Sequence, residues 1–134
     1  MFWGYAASPV IGWFAAGCLK FVINSLRSRK FAWAEIGYGG LPSTHMSVVS
    51  TPAFLVALHE GVSHPSFGVA LGVMIVVALD AMSLRRRIGQ HAAALNKLQP
   101  DDKPLREKIG HKPHEVAAGV LTGFVCALAL HLFC

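Results

Sequence analysis

Two histidines and a few cations stand out in a chain otherwise sparing with ions. Pro42-Ser43-Thr44-His45 opens an apolar stretch. Ser43 or Thr44 suits the cap of a helix there, and the exposed N–H groups of a helix start favour an oxyanion, to which a hydroxyl adds a donor. His45 would stand beside that anion, able to give it a proton. Taken alone, the tetrapeptide is equally a plain capping turn. His111 and Glu115 are four residues apart. At a helix start the carboxylate can accept from one imidazole nitrogen, which leaves the other free as nucleophile or base. Alone, this is also an ordinary helix-surface pair. Lys20 and Arg27, two helical turns apart, share a face, and Arg85 and Arg86 directly follow an apolar segment that carries Asp80. Singly, each cation reads as a snorkelling side chain at a membrane edge. Asp80 is expected to pair with an arginine and hold it. As a set these groups suit attack on a phosphate ester: one histidine attacks phosphorus and the other protonates the leaving oxygen. The cations and N–H groups stabilise charge on the equatorial oxygens. The acidic residues are too few and scattered for a two-metal site, so neither metal nor other cofactor is expected.

The elements that must position these groups are membrane helices. Of 134 residues, 54% are apolar and 14% charged. That balance excludes a disordered tail and argues against a soluble enzyme of this size. All twelve Lys and Arg lie in two blocks, Lys20–Lys30 and Arg85–Lys112, leaving 1–19, 46–84 and 113–134 without Lys or Arg. No aromatic-interleaved basic stretch suggests base stacking, so no nucleic-acid partner is expected. Cys18, Cys126 and Cys134 lack metal-like spacing and read as small apolar residues. The N-terminus lacks a secretory pattern and is read as a retained span. The expected fold is an all-α integral membrane bundle, one domain over 1–134, with about four transmembrane helices near 2–26, 44–59, 66–84 and 114–133. The segment 44–59 is short for a span. The third helix is expected to run on through Ser83–Leu98, with an apolar stripe of Ile88, Ala92, Leu95 and Leu98. Residues 87–110 form a cytoplasmic or interfacial helical extension, broken at Gln99–Pro104, with a short helical turn at Leu105–Ile109. Four crossings put both basic blocks on one side, cytoplasmic by the positive-inside rule.

The order of these residues resembles the three signature motifs of the type 2 phosphatidic acid phosphatases. The closer likeness is to the divergent branch related to acid phosphatases and vanadium-dependent haloperoxidases. It rests on Lys20-x6-Arg27, on Gly39-Gly40-Leu41-Pro42-Ser43-Thr44-His45, on Asp80-Ala81-Met82-Ser83-Leu84-Arg85-Arg86, on Leu95-Asn96, and on Gly110-His111-Lys112-Pro113-His114-Glu115-Val116. The resemblance implies phosphate binding by Lys20, Arg27, Ser43, Thr44 and an arginine, with Arg85 and Arg86 both candidates. It implies His45 as general acid, His111 as the nucleophile forming a phosphohistidine, and Glu115 orienting His111. The chain departs from the family pattern at Ser28 for a proline, at Thr44 for a glycine, and at Ser83, which no arginine directly follows. Arg85-x5-His91 has the family's third-motif interval, but Leu95 occupies its acidic position. His91 is therefore set aside for His111, and residues 87–110 become an insertion within that motif.

The function expected is a metal-independent membrane lipid-phosphate phosphatase. Its substrate would be a polyprenyl phosphate or diphosphate, phosphatidate or a related lipid. The alternative is a non-catalytic lipid-phosphate binding or transport protein. A small structural subunit is a third reading. The expected location is multi-pass in a membrane, the inner or plasma membrane if bacterial, among membrane lipids, with a homodimer possible.

Overall fold

The computed structural model describes residues 3–28, 40–99 and 103–133, with the side chains of residues 27 and 28 excepted. The chain is all-α. Helix α1 spans Gly4–Ser28, α2 Thr44–His59 and α3 Pro65–Leu79. A π-helical turn, Asp80–Leu84, joins α3 to α4, Arg85–Leu98, and α5 spans Pro113–Phe133.

Among the described residues, three helical stretches are long and apolar enough to cross a membrane: Gly4–Leu26, Pro65–Leu98 and Pro113–Phe133. Helix α2, expected as a fourth span, has 16 residues. At about 1.5 Å per residue that is roughly 24 Å, less than a ~30 Å hydrocarbon core. It is nonetheless the centre of the bundle, packed against α1, α3 and α5. Its buried face is small and polar, with Ser47, Ser50, Thr51 and Ala53 beside Met46 and Leu55. Hydroxyls on this face bond helix carbonyls: Ser47 Oγ donates to Gly119 O at 3.0 Å, and Thr51 Oγ1 to Ser47 O at 2.7 Å. Glycines let the backbones approach. A Cβ at Gly119 would collide with the Ser43 carbonyl, and one at Gly123 with Ser50 Oγ. Lipid offers no hydrophobic drive for one apolar helix to leave it for another, so close packing and interhelical hydrogen bonds hold this seam.

The 34-residue helical stretch from Pro65 to Leu98 starts on Pro65 as its first residue and buries almost none of its apolar window inside the bundle. Its continuation past Ser83 agrees with expectation, but the interior face of α4 does not. Of the expected stripe, Ala92 is buried but Ile88, Leu95 and Leu98 are exposed, and Gly89, outside the stripe, is the other buried residue. The reason is the segment 103–110, which is irregular where a helical turn was expected at Leu105–Ile109. It folds back along α4, and its backbone lies so close that a Cβ at Gly89 would collide with the Glu107 carbonyl.

Helices α2 and α5 run parallel. Ser43 N donates to Glu115 O at 2.9 Å near their starts, and His59 meets His131 near their ends. Both N-termini therefore share one end of the bundle with the π turn and the basic part of α1.

Candidate active site

A cavity of about 860 Å³ opens at that end. Its polar wall carries Lys20, Thr44, His45, Arg85, Arg106 and His111, and the remainder comes mostly from aromatic and aliphatic side chains of α1, α2 and α3, with Ile109 and Gly110 beside His111. Each polar group arrives by a different route. Lys20 comes from α1 and is only 4% exposed. Thr44 and His45 come from the first turn of α2, whose helical bonding begins with Ser47 N donating to Ser43 O. The N–H groups of Thr44, His45 and Met46 therefore have no acceptor within the helix, and the positive end of the helix dipole points at this region.

Arg85 follows the π turn. Its Nε donates to Asp80 Oδ2 at 2.7 Å, with both side chains 34% exposed. In an α-helix residues five apart do not meet so directly; the extra residue of the π turn brings them together. The pair holds the guanidinium at the cavity wall, the arrangement expected of Asp80. Arg86, one residue on, is exposed and does not line the cavity. Of the two arginines left open by the sequence, only Arg85 is placed to meet a ligand there.

His111 sits just before α5. Its backbone N–H donates to Ala81 O, in the π turn, at 2.9 Å. Its ring faces that of His45 edge to face, with centroids 6.1 Å apart. Both imidazole nitrogens are buried and have no hydrogen-bond partner among the described residues. Burial holds the His111 pKa below the usual histidine value; Lys20, His45 and Arg85 push the same way and Glu115 opposes them. The neutral imidazole, the form able to act as a nucleophile, therefore persists to lower pH than in free histidine.

Two expectations need correction. Glu115 does not hydrogen-bond His111: its Oε2 accepts from Lys112 N at 3.0 Å. His111 precedes the helix, so the i,i+4 geometry does not apply to it. Glu115 is instead the third residue of α5, where a carboxylate closes back on the helix start as in a capping box. Ser43 is fully buried and does not line the cavity. Its N–H is taken by Glu115 O, and its Cβ packs against Gly119, so the hydroxyl beside the cavity is that of Thr44. The Arg27 side chain lies outside the described residues, as does much of the glycine-rich loop before Gly40. His91, the competing histidine, is exposed on α4 and away from the cavity. Arg106 was not singled out in the sequence. It sits in the irregular segment, and only its nearness to the Gly110-His111 motif could have drawn notice.

The Divergent PAP2 family model matches residues 5–126. The chain is also 32% identical over 138 aligned positions to the Uncharacterized membrane protein YuiD of Bacillus subtilis (strain 168), covering 88% of this chain and 87% of that protein. No solved structure matches. A chain with multiple candidate spans, matched over most of its length by that family model and by a membrane protein, is an integral membrane protein belonging to the Divergent PAP2 family.

Proposed function

We propose that this membrane protein is a lipid-phosphate phosphatase working through a phosphohistidine. The observation that carries the reading is the edge-to-face pair His45 and His111, in one cavity with Lys20, Arg85 and Arg106 and walls able to take an apolar chain. A neutral His111 nitrogen attacks phosphorus. The bond from phosphorus to the lipid oxygen breaks, and His45 gives that oxygen its proton. Water then attacks the phosphohistidine, loses a proton to His45, and releases phosphate with His111 regenerated. Lys20, Arg85 and the first-turn N–H groups of α2 offset charge on the transferring group. The wider PAP2 relationship includes phosphatases, which agrees with this chemistry. Polyprenyl phosphates and diphosphates, phosphatidate and related lipids are the substrates proposed.

The test is phosphate release from a panel of these lipids by purified protein, comparing His111→Ala with His131→Ala at the opposite end. Loss of the nucleophile is expected to lower the rate by ~10³-fold or more. His131→Ala should remain within about twofold, as expected for a residue outside the chemistry. Undiminished release by His111→Ala overturns the reading. A second reading, binding or transport of a lipid phosphate without turnover, is favoured by the absence, among the described residues, of a hydrogen-bond partner on either His111 nitrogen. Vanadate binding by a protein that turns over no lipid and traps no phosphohistidine would select it.

A further inference from the structure

His111 poses a physical problem. An imidazole that attacks in line must be held in place, yet neither of its nitrogens is hydrogen-bonded among the described residues, and Glu115 is engaged at the helix start. Its placement therefore falls to the backbone that carries it. That backbone is the segment 103–111, running along α4 to the π turn.

Asn96, near the far end of α4, grips this segment with three hydrogen bonds. Its Oδ1 accepts from Leu105 N at 2.7 Å, and its Nδ2 donates to Leu105 O at 2.8 Å and to Glu107 Oε1 at 2.9 Å. An amide carries an acceptor oxygen and a donor nitrogen side by side, so it can accept from the N–H and donate to the C=O of the same residue. The Glu107 carboxylate, an acceptor, agrees with the same amide orientation. Beyond the grip, Ile109 N donates to Glu107 O at 3.0 Å, Gly110 takes φ +104°, and His111 N is tied to Ala81 O at 2.9 Å. Gly89 lies under the middle of the run and admits the Glu107 carbonyl only because it has no side chain. The segment is thus fastened at Asn96, seated on Gly89 and fastened again at the π turn, with His111 at its end.

We infer that Asn96 is a positioning residue for His111, holding the nucleophile at the cavity through the segment 105–110. The inference rests on the reading of His111 as the reacting group. It adds a residue that touches neither substrate nor cavity and stands fifteen positions from the histidine it controls.

Substitutions at Asn96, Gly89 and Glu107 test it. Asn96→Ala removes all three bonds. Gly89→Ala lifts the segment by a different route. Asn96→Asp removes the donors, and adding Glu107→Gln returns one of them in the reverse direction. Two readouts need no turnover. In hydrogen exchange of the detergent-solubilised full chain, the peptide over 103–112 is expected to exchange at least about tenfold faster in Asn96→Ala and Gly89→Ala, with α2 and α5 unchanged, as for a local opening. In diethyl pyrocarbonate modification of His111 followed by mass spectrometry across pH, the reaction midpoint should rise toward the ordinary histidine value of about 6.5 as the imidazole becomes hydrated. The doubly substituted Asn96→Asp, Glu107→Gln protein should recover part of both effects. Where the wild-type protein turns over a lipid phosphate, kcat should fall about tenfold, with the larger share of the loss in kcat and not KM. Asn96→Ala and Gly89→Ala combined should lose little more than either alone, because they act on one segment. Unchanged exchange over 103–112, an unmoved His111 midpoint, or faster exchange with unaltered kcat would each overturn the inference. Absence of turnover in the wild type would defeat the phosphatase reading alone, leaving the exchange and modification results to decide the role of Asn96.

Discussion

Each end of this bundle holds two histidines in edge-to-face contact, one on α2 and one on or beside α5. At one end His45 meets His111 at 6.1 Å; at the other His59 meets His131 at 4.6 Å. By residue type the two pairs are alike. Their surroundings are not. The first lies in a cavity with Lys20, Arg85 and Arg106, at the N-termini of α2 and α5. The second lies at the C-termini of those helices beside Tyr5 and Glu60, where the sequence has no Lys or Arg from 46 to 84 or from 113 to 134. Helix dipoles favour an anion at the first end and a cation at the second. Tyr5 Oη donates to Glu60 Oε1 at 2.7 Å, tying α1 to the turn after α2. A histidine pair is therefore not a site in itself. Cations, free N–H groups and an open volume decide which pair can meet a phosphate.

The sharpest way to break this comparison is to remove one α2 histidine from each end. His45→Ala is expected to cost ~10²–10⁴-fold in release of an alkyl phosphate, the usual contribution of a positioned general acid. The loss should shrink for an aryl phosphate whose leaving oxygen needs no proton. His59→Ala should leave both rates near wild type. Equal losses at the two ends, read as initial rates of phosphate release, would mean the histidines serve packing and not chemistry.

Acid titration sharpens the same contrast with a smaller effect. The His111 pKa lies below the ordinary value of about 6.5, chiefly because the ring is buried. Deprotonated His111 is required for attack, so His111 should impose no loss of kcat/KM as pH falls through 6.5, while His45, also held below the ordinary value chiefly by burial, gains over that range the proton it must give. Below the lowered His111 pKa, kcat/KM should drop about tenfold per pH unit. The sign for stability is the same: the unfolded chain takes up this proton more readily, so folding is weakened as pH falls below 6.5. A kcat/KM profile whose acid limb begins above 6.5 would contradict the buried neutral imidazole.

The smallest effect belongs to the end where the described residues include no Lys or Arg. Tyr5→Phe deletes the hydrogen bond to Glu60 and is expected to lower thermal stability in detergent by about 1 kcal/mol. Phosphate release at 25 °C should be unchanged. A large loss of activity would show the two ends to be coupled through α2.

Much of the scaffold was legible because hydropathy is a local property. Windows without Lys or Arg became the apolar helices, and Pro65 and Pro113 stand at helix starts, where a missing N–H costs nothing. The site was legible in parts. Lys20, Thr44, His45, Arg85 and His111 do line one cavity, and Asp80 does hold an arginine. The failures share a cause. The i,i+4 rule that pairs Glu115 with His111 holds only inside a helix, and His111 lies outside it. Ser43 was read as a donor to ligand, but the close approach of Gly119 turns it into the α2–α5 seam. On α4 the apolar stripe of Ile88, Ala92, Leu95 and Leu98 is covered only at Ala92, and the covered face runs through Gly89 instead, because the partner is a backbone that needs room.

By itself the sequence determined that this is an all-helical membrane chain whose few ions gather near helix ends, since burial in lipid selects against charge residue by residue. Only the tertiary structure decided which of those ions face one another. The π turn that turns Arg85 into the cavity, the parallel pairing of α2 with α5, and the segment 103–111 that returns His111 to Ala81 all depend on contacts between residues far apart in the chain. Local spacing carries no record of such contacts. The same two histidine pairs, equal on paper, become one candidate active site and one packing contact through what the fold sets around them.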